Sequence, residues 1–528
     1  MRSLRRPWGL YLAGFVLALA GSGAGQPSGQ ASPMRELTRA ALEDKIRGGW
    51  AGQMIGVSFG APTEFKWNGT RIEGPLPWSA ERIRNSLGQD DLYVEMTFAE
   101  VMDRVGLDAT SAHYGEAFRD SKYALWHANA AARKWLNRGI APPMSGHPKY
   151  NLHANDIDFQ IESDFIGLMT PGLPREAAGF CERVGGVMNA GDGLYGGLFV
   201  TGMYVEAFFE NDVRKVVEAG LAMLPPASGY AQIIRDVLDW SAKHPDDWVR
   251  TWELIEEKWN RDDPCPDGAL VPLNIDARLN GAYIALGLLY GRGDFARTLE
   301  VTTRCGQDSD CNPSNAAGIL GVILGYSRIP SEFTAGIPAI ADAKFEYTNY
   351  SFNDITASTL RRALQVVERA GGRVDGDRIR VPRQTPQPPE LEVWDPGVPD
   401  RVVGIEEAAW TWQGTWTEER DRRGELTGRT STTAGAVAAI DFEGTGVAIV
   451  GPHSKSGGRA DVFIDDRKAG EIDAWIVERT TDLDLFHVTD LAPGRHRLRI
   501  VMREDADSRA EGRQITLRRI VTYRPRES

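Results

Sequence analysis

The sequence predicts a mainly α-helical protein in which one large helical domain is followed by an antiparallel β-sandwich. Two observations lead to this fold class. From Met34 to about Gly372, apolar residues recur at spacings of three and four, which is the period of an amphipathic helix. After Gly372 the sequence becomes rich in proline and then consists of short apolar segments separated by turns, a pattern typical of antiparallel strands.

The first 25 residues have the pattern of a secretory signal peptide. Three arginines precede an apolar run from Trp8 to Ala20, and small residues follow as far as Gly25. The run is too short for a stable membrane span. We therefore expect cleavage near Ala24 or Gly25, and a secreted or periplasmic protein with no stable membrane span after removal of the signal. An uncleaved anchor is the alternative.

Composition excludes several classes of function. The chain is 42% hydrophobic and 25% charged, as in a globular protein, and its net charge of −13 argues against a general nucleic-acid binder. Its histidines lack the spacing of a zinc hydrolase, and neither a nucleophile elbow nor a phosphate-binding loop is present in the sequence. Four cysteines are too few for a disulfide scaffold.

We predict the helical domain over residues 34–375, which is long enough to bury an ample core. Its apolar periodicity predicts helices at 112–121, 125–138, 175–188, 194–209, 213–223, 229–242, 247–260, 279–290 and 353–370.

A glycine stripe marks the first helix. Glycines recur at every fourth position, at Gly48, Gly52, Gly56 and Gly60. On a helix they share one face, where the missing side chains permit close approach of another backbone. The helix must end before Pro62, so Glu64 falls in the loop just beyond it.

Two acidic pairs begin two further helices. Asp90 and Asp91 precede an apolar-periodic segment, and Asp308 and Asp310 lie in a polar turn before the small, apolar segment 314–325. Acids at the start of a buried helix are costly to desolvate unless a cation meets them. A hard divalent cation suits such oxygen ligands. The alternative is a capped helix that follows a surface turn.

These motifs resemble those of the ADP-ribosylglycohydrolase family, from about Asp44 to about Gly325. The resemblance implies an all-α fold with one or two divalent cations, Mg²⁺ or Mn²⁺, with Ca²⁺ as a further candidate. The metal ligands that it implies are Glu64, Gln89, Asp90, Asp91, Asp308 and Asp310. The catalytic residues that it implies are Glu64, Asp90 and Asp91. Gln89 departs from the family, which usually has threonine there, but its amide carbonyl can still coordinate a cation.

Cys311 is a second departure, because the family often has threonine at this position as well. A thiol is a poor ligand for a hard cation. We therefore predict that Cys311 does not bind the metal strongly. It either packs at the start of its helix or forms a disulfide with Cys305, which would close the intervening turn.

Two further segments contribute candidate substrate-binding residues. In the first, 155–167, Asp158, Gln160 and Glu162 lie close together, and Asp158 and Glu162 share a helix face. They form either a polar wall of the substrate pocket or a solvated helix face.

The second segment, 185–197, is rich in glycine and resembles the family's central segment beside the ribose site. The resemblance implies that Asn189, Asp192 and Tyr195 bind substrate. The alternative is a plain loop between helices.

The last part of the chain reads as a proline-rich linker, 376–395, and a β-sandwich, 396–528. The stretch 442–501 looks like the galactose-binding-like jelly rolls that are attached to secreted glycoside hydrolases. Aromatic residues that could stack on sugar rings, or alternatively fill the core, are Trp410, Trp412, Trp416 and Trp475. We expect the helical domain to fold without this module, which would bind polysaccharide.

Together these features predict a secreted glycosidase that hydrolyses a small glycoside or a glycan through a metal-activated water. Two other functions stay open. One is an ADP-ribosyl hydrolase that releases ADP-ribose from protein or nucleotide. The other is a non-catalytic carbohydrate-binding protein.

Overall fold

The structure is a computed structural model that describes residues 33–261, 263–480 and 482–526. The predicted signal peptide, residues 1–25, lies outside the described residues. The described part from Met34 onward forms one compact unit. In it, no helix is both long and apolar enough to cross a membrane.

A helical part occupies the first two thirds of the chain. Its α-helices are α1 (Arg39–Gly60), α2 (Asp90–Val105), α3 (Ser111–Asp120), α4 (His127–Asn137), α5 (Asp158–Ile161), α6 (Asp164–Leu168), α7 (Pro174–Gly185), α8 (Gly191–Ala207), α9 (Val213–Leu221), α10 (Gly229–Lys243), α11 (Trp248–Trp259), α12 (Ala277–Gly291), α13 (Phe295–Arg304), α14 (Cys311–Leu324), α15 (Ser331–Thr334) and α16 (Phe352–Arg369). Short 3₁₀ helices span Ala80–Gly88, Tyr326–Arg328 and Ile337–Ala339. Each helix predicted from periodicity is present, and its ends lie within about three residues of the prediction.

The packing of α1 on α14 organises the helical part, and the glycine stripe makes it possible. A Cβ atom added at Gly52 would lie 2.1 Å from the Ala317 carbonyl oxygen, and one at Gly56 would lie 2.2 Å from that of Pro313. At Gly60 the Ser309 carbonyl oxygen would be 2.0 Å away. Larger residues would force the two backbones apart. The stripe therefore holds the acidic turn before α14 against the end of α1.

The strands are β1 (Met34–Thr38), β2 (Arg373–Asp375), β3 (Arg378–Pro382), β4 (Val398–Gly404), β5 (Thr411–Gln413), β6 (Thr417–Arg420), β7 (Leu426–Ser431), β8 (Val437–Gly444), β9 (Gly446–Pro452), β10 (Arg459–Ile464), β11 (Arg467–Asp473), β12 (Asp482–Val488), β13 (Gly494–Met502), β14 (Ile515–Leu517) and β15 (Arg519–Arg524). The small sheet β1-β3-β2 belongs to the helical part. The sandwich consists of the sheets β11-β10-β13-β8-β5 and β12-β9-β15-β4, with β14-β7-β6 beside them. All the strand pairs are antiparallel, which confirms the predicted helical and sandwich architecture.

The tryptophans of the sandwich mainly fill its core. Trp410 and Trp475 are each only 5% exposed. Trp412 and Trp416 are partly buried against the core, and Trp412 stacks on Trp410 with a ring-centroid distance of 5.3 Å. This packing favours the core interpretation over sugar stacking.

The sandwich packs directly on the helical part. Lys134 Nζ and Asp484 Oδ1 form a fully buried ion pair of 2.8 Å. The Tyr523 hydroxyl donates a hydrogen bond of 3.0 Å to the Pro264 carbonyl oxygen. A buried apolar cluster across the same interface contains Leu152, Ala269, Ala448, Val450, Val521 and Tyr523. The predicted linker begins with residues of β3, and the division into independent domains stays a prediction.

Candidate functional site

Three chain segments bring the predicted acidic ligands together. Glu64 follows α1, Asp90 and Asp91 begin α2, and Asp308 and Asp310 precede α14. Asp91, Asp308 and Asp310 are buried, whereas Glu64 and Asp90 are more accessible and face a cavity. The fold thus gathers in one place the carboxylates that local sequence patterns predicted separately.

These carboxylates lack cationic partners. In the described ranges, none of the five forms an ion pair with lysine, arginine or histidine. Partial burial and the charges of Asp308 and Asp90 raise the pKa of Glu64 to about 7. Burial and Asp308 raise the pKa of Asp90 to about 6. The pKa values of Asp91 and Asp310 lie well above their usual range, because both groups are buried among like charges.

One buried oxygen supports a cation at this position. Asp91 Oδ2 is buried and has no hydrogen-bond partner in the structure. A buried carboxylate oxygen without a partner is costly. Several uncompensated carboxylates with such an oxygen among them form a donor set that fits a hard divalent cation.

Cys311 is a free thiol that follows Asp310 at the start of α14 and lines the same cavity as Asp90 and Asp308. All four cysteines are free, so the alternative of a disulfide with Cys305 is wrong. The Cys311 Sγ–H donates a hydrogen bond of 3.1 Å to Asp91 Oδ1. Burial and the nearby Asp308 raise the pKa of Cys311 well above its usual range, which keeps the sulfur protonated. The thiol thus packs at the helix start and orients Asp91, as the other alternative predicts.

The carboxylates open into a cavity of about 1090 Å³. One part of the lining, the acidic wall, comprises Glu64, Asp90, Asp158 and Asp308 of the helical part. Another part, the sandwich wall, comprises Pro452, Arg479, Thr480, Asp482 and Arg518. Gln89, His127 and Asp267 also line the cavity. The C-terminal module therefore contributes residues to the lining of the cavity.

The segment 155–167 is buried, so it is not a solvated helix face. Asp158 faces the cavity, and its carboxylate accepts hydrogen bonds from the backbone N–H groups of Ala128 (3.2 Å) and Asn129 (2.9 Å) at the start of α4. Burial raises the pKa of Asp158. The side chains of the other two predicted residues have protein partners: Gln160 accepts from Tyr230 and Glu162 from Asn129.

The three candidates from the glycine-rich segment are not among the residues that line this cavity. The Asn189 side chain holds backbone groups, including the Ala154 carbonyl oxygen at 2.9 Å. Asp192 accepts from the Tyr230 backbone N–H at 3.0 Å and borders a separate cavity of about 350 Å³. The Tyr195 hydroxyl accepts from the Glu392 N–H at 2.7 Å. Their substrate role stays a prediction.

Sequence patterns missed part of the cavity lining. His127 is the first residue of α4 and has a positive φ of 44°. Its Nδ1 lies 3.4 Å from Oδ2 of Asp267, which comes from a distant loop. Arg479 and Arg518 reach the cavity only because the sandwich packs on the helical part. No local motif relates any of these residues to the acidic pairs.

Comparisons with known proteins agree with the motif resemblance. The ADP-ribosylglycohydrolase family model matches residues 38–366. No curated protein matches the chain.

Two solved structures illustrate the structural similarities. An ADP-ribosylglycohydrolase-related protein complex is 17% identical, covers 62% of this chain and 99% of its own, and has a TM-score of 0.37. A family two carbohydrate esterase from Cellvibrio japonicus is 16% identical, covers 23% of this chain and 33% of its own, and has a TM-score of 0.18.

Proposed function

We propose, from the premise that this chain belongs to the ADP-ribosylglycohydrolase family, that it is a secreted, metal-dependent hydrolase of glycosidic bonds in a glycoside or glycan. The observation that carries the proposal is the convergence of the acidic wall on one cavity of about 1090 Å³. A cavity of this size, with a few convergent polar groups, suits a ligand of several sugar-sized units.

The residues that would hold the cation are Asp90, Asp91, Asp308 and Asp310, with Glu64 and Gln89 beside them. The set fits because its carboxylates have no protein cation among the described residues and because Asp91 Oδ2 has no other partner. When bound, Mg²⁺ or Mn²⁺ would supply Lewis acidity and lower the pKa of water at the site.

The protein's own groups supply the remaining chemistry. Glu64, whose pKa is about 7, can accept a proton from the attacking water at neutral pH. The negative charge of the acidic wall stabilises positive charge that develops on the sugar ring in an oxocarbenium-like transition state. Asp158 is held in position by the start of α4 and can accept a hydrogen bond from a sugar hydroxyl.

Features near both ends of the chain favour a glycoside or glycan as the substrate. The signal-peptide pattern of residues 1–25 favours a substrate outside the cytoplasm. The sandwich wall contributes residues to the same cavity as the acids, and the module would contact the part of the substrate that does not react.

One observation favours ADP-ribosyl hydrolysis as a second candidate. The sandwich wall brings the guanidinium groups of Arg479 and Arg518 to the cavity, and arginine is well suited to bind phosphate oxygens. A pyrophosphate could occupy this wall while the ribose faces the acids.

A substrate screen with full-length protein tests the proposal. Metal-stripped protein is assayed on glycosides, oligosaccharides, ADP-ribosylated protein and ADP-ribosyl nucleotides, with and without Mg²⁺, Mn²⁺ or Ca²⁺. We expect metal-dependent release of a free sugar by the wild type and by Asp246→Asn, an exposed-acid control, but not by Asp308→Asn. Release of ADP-ribose instead would support the second candidate. Sugar binding without turnover under every metal condition would show a non-catalytic carbohydrate-binding protein.

A further inference from the structure

A second cluster of ligand-type side chains lies beside the acidic wall. It consists of His127, His153, Cys265 and Asp267, and one ligand atom from each lies within 4.8 Å of the others. His127 begins α4, His153 lies in the turn before α5, and Cys265 and Asp267 come from the loop before α12. None of the metal ligands implied by the family resemblance belongs to this cluster.

The donors in this cluster differ in kind from those of the acidic wall. Two imidazoles, a thiol and a carboxylate are the nitrogen, sulfur and oxygen ligands of zinc and similar transition metals. Zinc–ligand bonds of about 2.0–2.3 Å in a tetrahedron place the ligand atoms roughly 3.3–3.7 Å apart. Here Cys265 Sγ lies 3.2 Å from His153 Nδ1, and His127 Nδ1 lies 3.4 Å from Asp267 Oδ2. These two separations match zinc geometry, and the cluster as a whole, which spans up to 4.8 Å, would contract around the ion.

Two features point to a ligand at this position. His127 Nδ1 is a buried atom that has no hydrogen-bond partner in the structure. His127 adopts a left-handed backbone conformation with φ of 44°. This conformation is strained for a residue with a side chain, and such strain concentrates at functional sites.

The surroundings supply the supporting groups that metal sites require. Asp156 Oδ2 lies 2.9 Å from His153 Nδ1 and 3.7 Å from His127 Nδ1, so this carboxylate places negative charge beside both ligand nitrogens. Asp263 Oδ1 accepts a hydrogen bond of 2.9 Å from the Cys265 backbone N–H, which fixes the start of the loop. Asp156 and Asp263 also bring negative charge next to the thiol, and a cation would offset this charge.

We propose that His127, His153, Cys265 and Asp267 bind a zinc-type transition-metal ion that fixes the loop between α11 and α12. Four protein ligands fill a tetrahedral site, so the role is structural. The loop lies at the junction of the two parts of the molecule, since Tyr523 of the sandwich donates a hydrogen bond to Pro264. The ion would thus hold one side of the cavity in place, separately from the cation at the acidic wall.

Cobalt substitution of the full-length protein tests the site without an activity assay. Protein stripped with a chelator is loaded with Co²⁺, and near-ultraviolet absorption is recorded, because a thiolate–cobalt bond gives a charge-transfer band. We expect this band in the wild type, and we expect one equivalent of Zn²⁺ to abolish it by displacing the cobalt.

Matched variants locate the ligand. Cys265→Ser should remove the band, whereas Cys181→Ser and Cys311→Ser, which alter buried free thiols elsewhere, should keep it. His127→Gln changes a partly exposed residue and should weaken Co²⁺ binding at least about tenfold, because it removes one of four ligands; it also provides the test if Cys265→Ser does not fold. No band in the wild type, or a band and affinity unchanged in Cys265→Ser and His127→Gln, would overturn the proposal. Loss of the band in Asp308→Asn would place the ion at the acidic wall and would also overturn it.

Discussion

The two walls of the cavity differ in whether their charged side chains form ion pairs. In the described part of the chain, no carboxylate of the acidic wall has an ion-pair partner. On the sandwich wall, by contrast, Arg518 pairs with Glu419 at 2.9 Å and lies 3.6 Å from Asp482. Arg518 of the sandwich wall is thus paired within its own module, whereas the proposed partner of the acidic wall is a cation from outside the chain. Under the proposed function, the helical part carries out the chemistry and the sandwich positions the substrate.

The largest expected effect follows from removing one charge of the acidic wall. Asp308→Asn keeps the shape of the side chain but removes a charged oxygen ligand. We expect kcat/KM for the preferred glycoside to fall about a thousandfold, or about 4 kcal/mol in transition-state stabilisation. Steady-state kinetics with saturating Mn²⁺ measures it, with Asp246→Asn as the control. A loss of less than about threefold would mean that the acidic wall has no catalytic role.

The buried ion pair that joins the two parts should give the next largest effect. Lys134→Met leaves buried Asp484 without its lysine, with His487 Nδ1 at 2.8 Å as its remaining ring partner, and breaking such a pair costs about 3–5 kcal/mol of unfolding free energy. Lys243→Met removes an exposed pair with Asp239 and should cost less than about 1 kcal/mol. Chemical denaturation measures both values. Equal small losses would mean that the sandwich is only loosely attached, and would favour an independently folding helical domain.

The pKa values of two carboxylates of the acidic wall predict how metal binding and pH together affect the stability of the folded protein. The folded-state pKa values of Glu64 and Asp90, about 7 and about 6, lie above those of the unfolded chain. Metal-free protein should therefore lose stability as pH rises from about 4 to about 7, because the folded state then binds more protons than the unfolded state.

Metal binding should reverse this trend, since a cation competes with those protons. We expect Mn²⁺ to raise Tm by several degrees near pH 8 and by much less near pH 5. Differential scanning fluorimetry with stripped protein measures both shifts. Equal shifts at both pH values would mean that the metal binds groups other than these carboxylates.

The smallest effect is expected at the sandwich wall. Arg479 is exposed and lines the cavity, so its loss should weaken substrate binding without changing the chemical step. We expect Arg479→Ala to raise KM by up to about tenfold with kcat nearly constant. Arg495→Ala, an exposed arginine outside the cavity lining, should change neither. A fall in kcat instead would assign chemistry to the sandwich wall.

Local sequence patterns predicted the features that depend on residues close together in the chain. The apolar period located most of the helices, although α13 was not predicted, and the glycines at every fourth position predicted the close packing on α1 that the structure shows at Gly52 and Gly56. The acidic pairs at helix starts predicted the acidic wall. The apolar segment that follows each acidic pair predicts that the carboxylates are buried. A buried carboxylate needs a partner.

The features that could not be predicted from the sequence depend on contacts between residues far apart in the chain. The hydrogen bond that Asp192 accepts from the Tyr230 backbone at the start of α10 could not be predicted from the glycine-rich segment around Asp192. His127 and Asp267 meet only because a distant loop folds back onto α4. Arg479 reaches the cavity through the packing of one part of the molecule on the other. These contacts cannot be predicted from the spacing of residues along the chain.

Anomalous diffraction from crystals of the full-length protein grown with Mn²⁺ tests the central claim most directly, because it locates the cation independently of any substrate. We predict an anomalous peak among the carboxylates of Asp90, Asp91, Asp308 and Asp310, and its loss in Asp308→Asn crystals grown under the same conditions. Crystals of catalytically active protein with no Mn²⁺ peak among these carboxylates would contradict the claim that these four residues bind the catalytic cation.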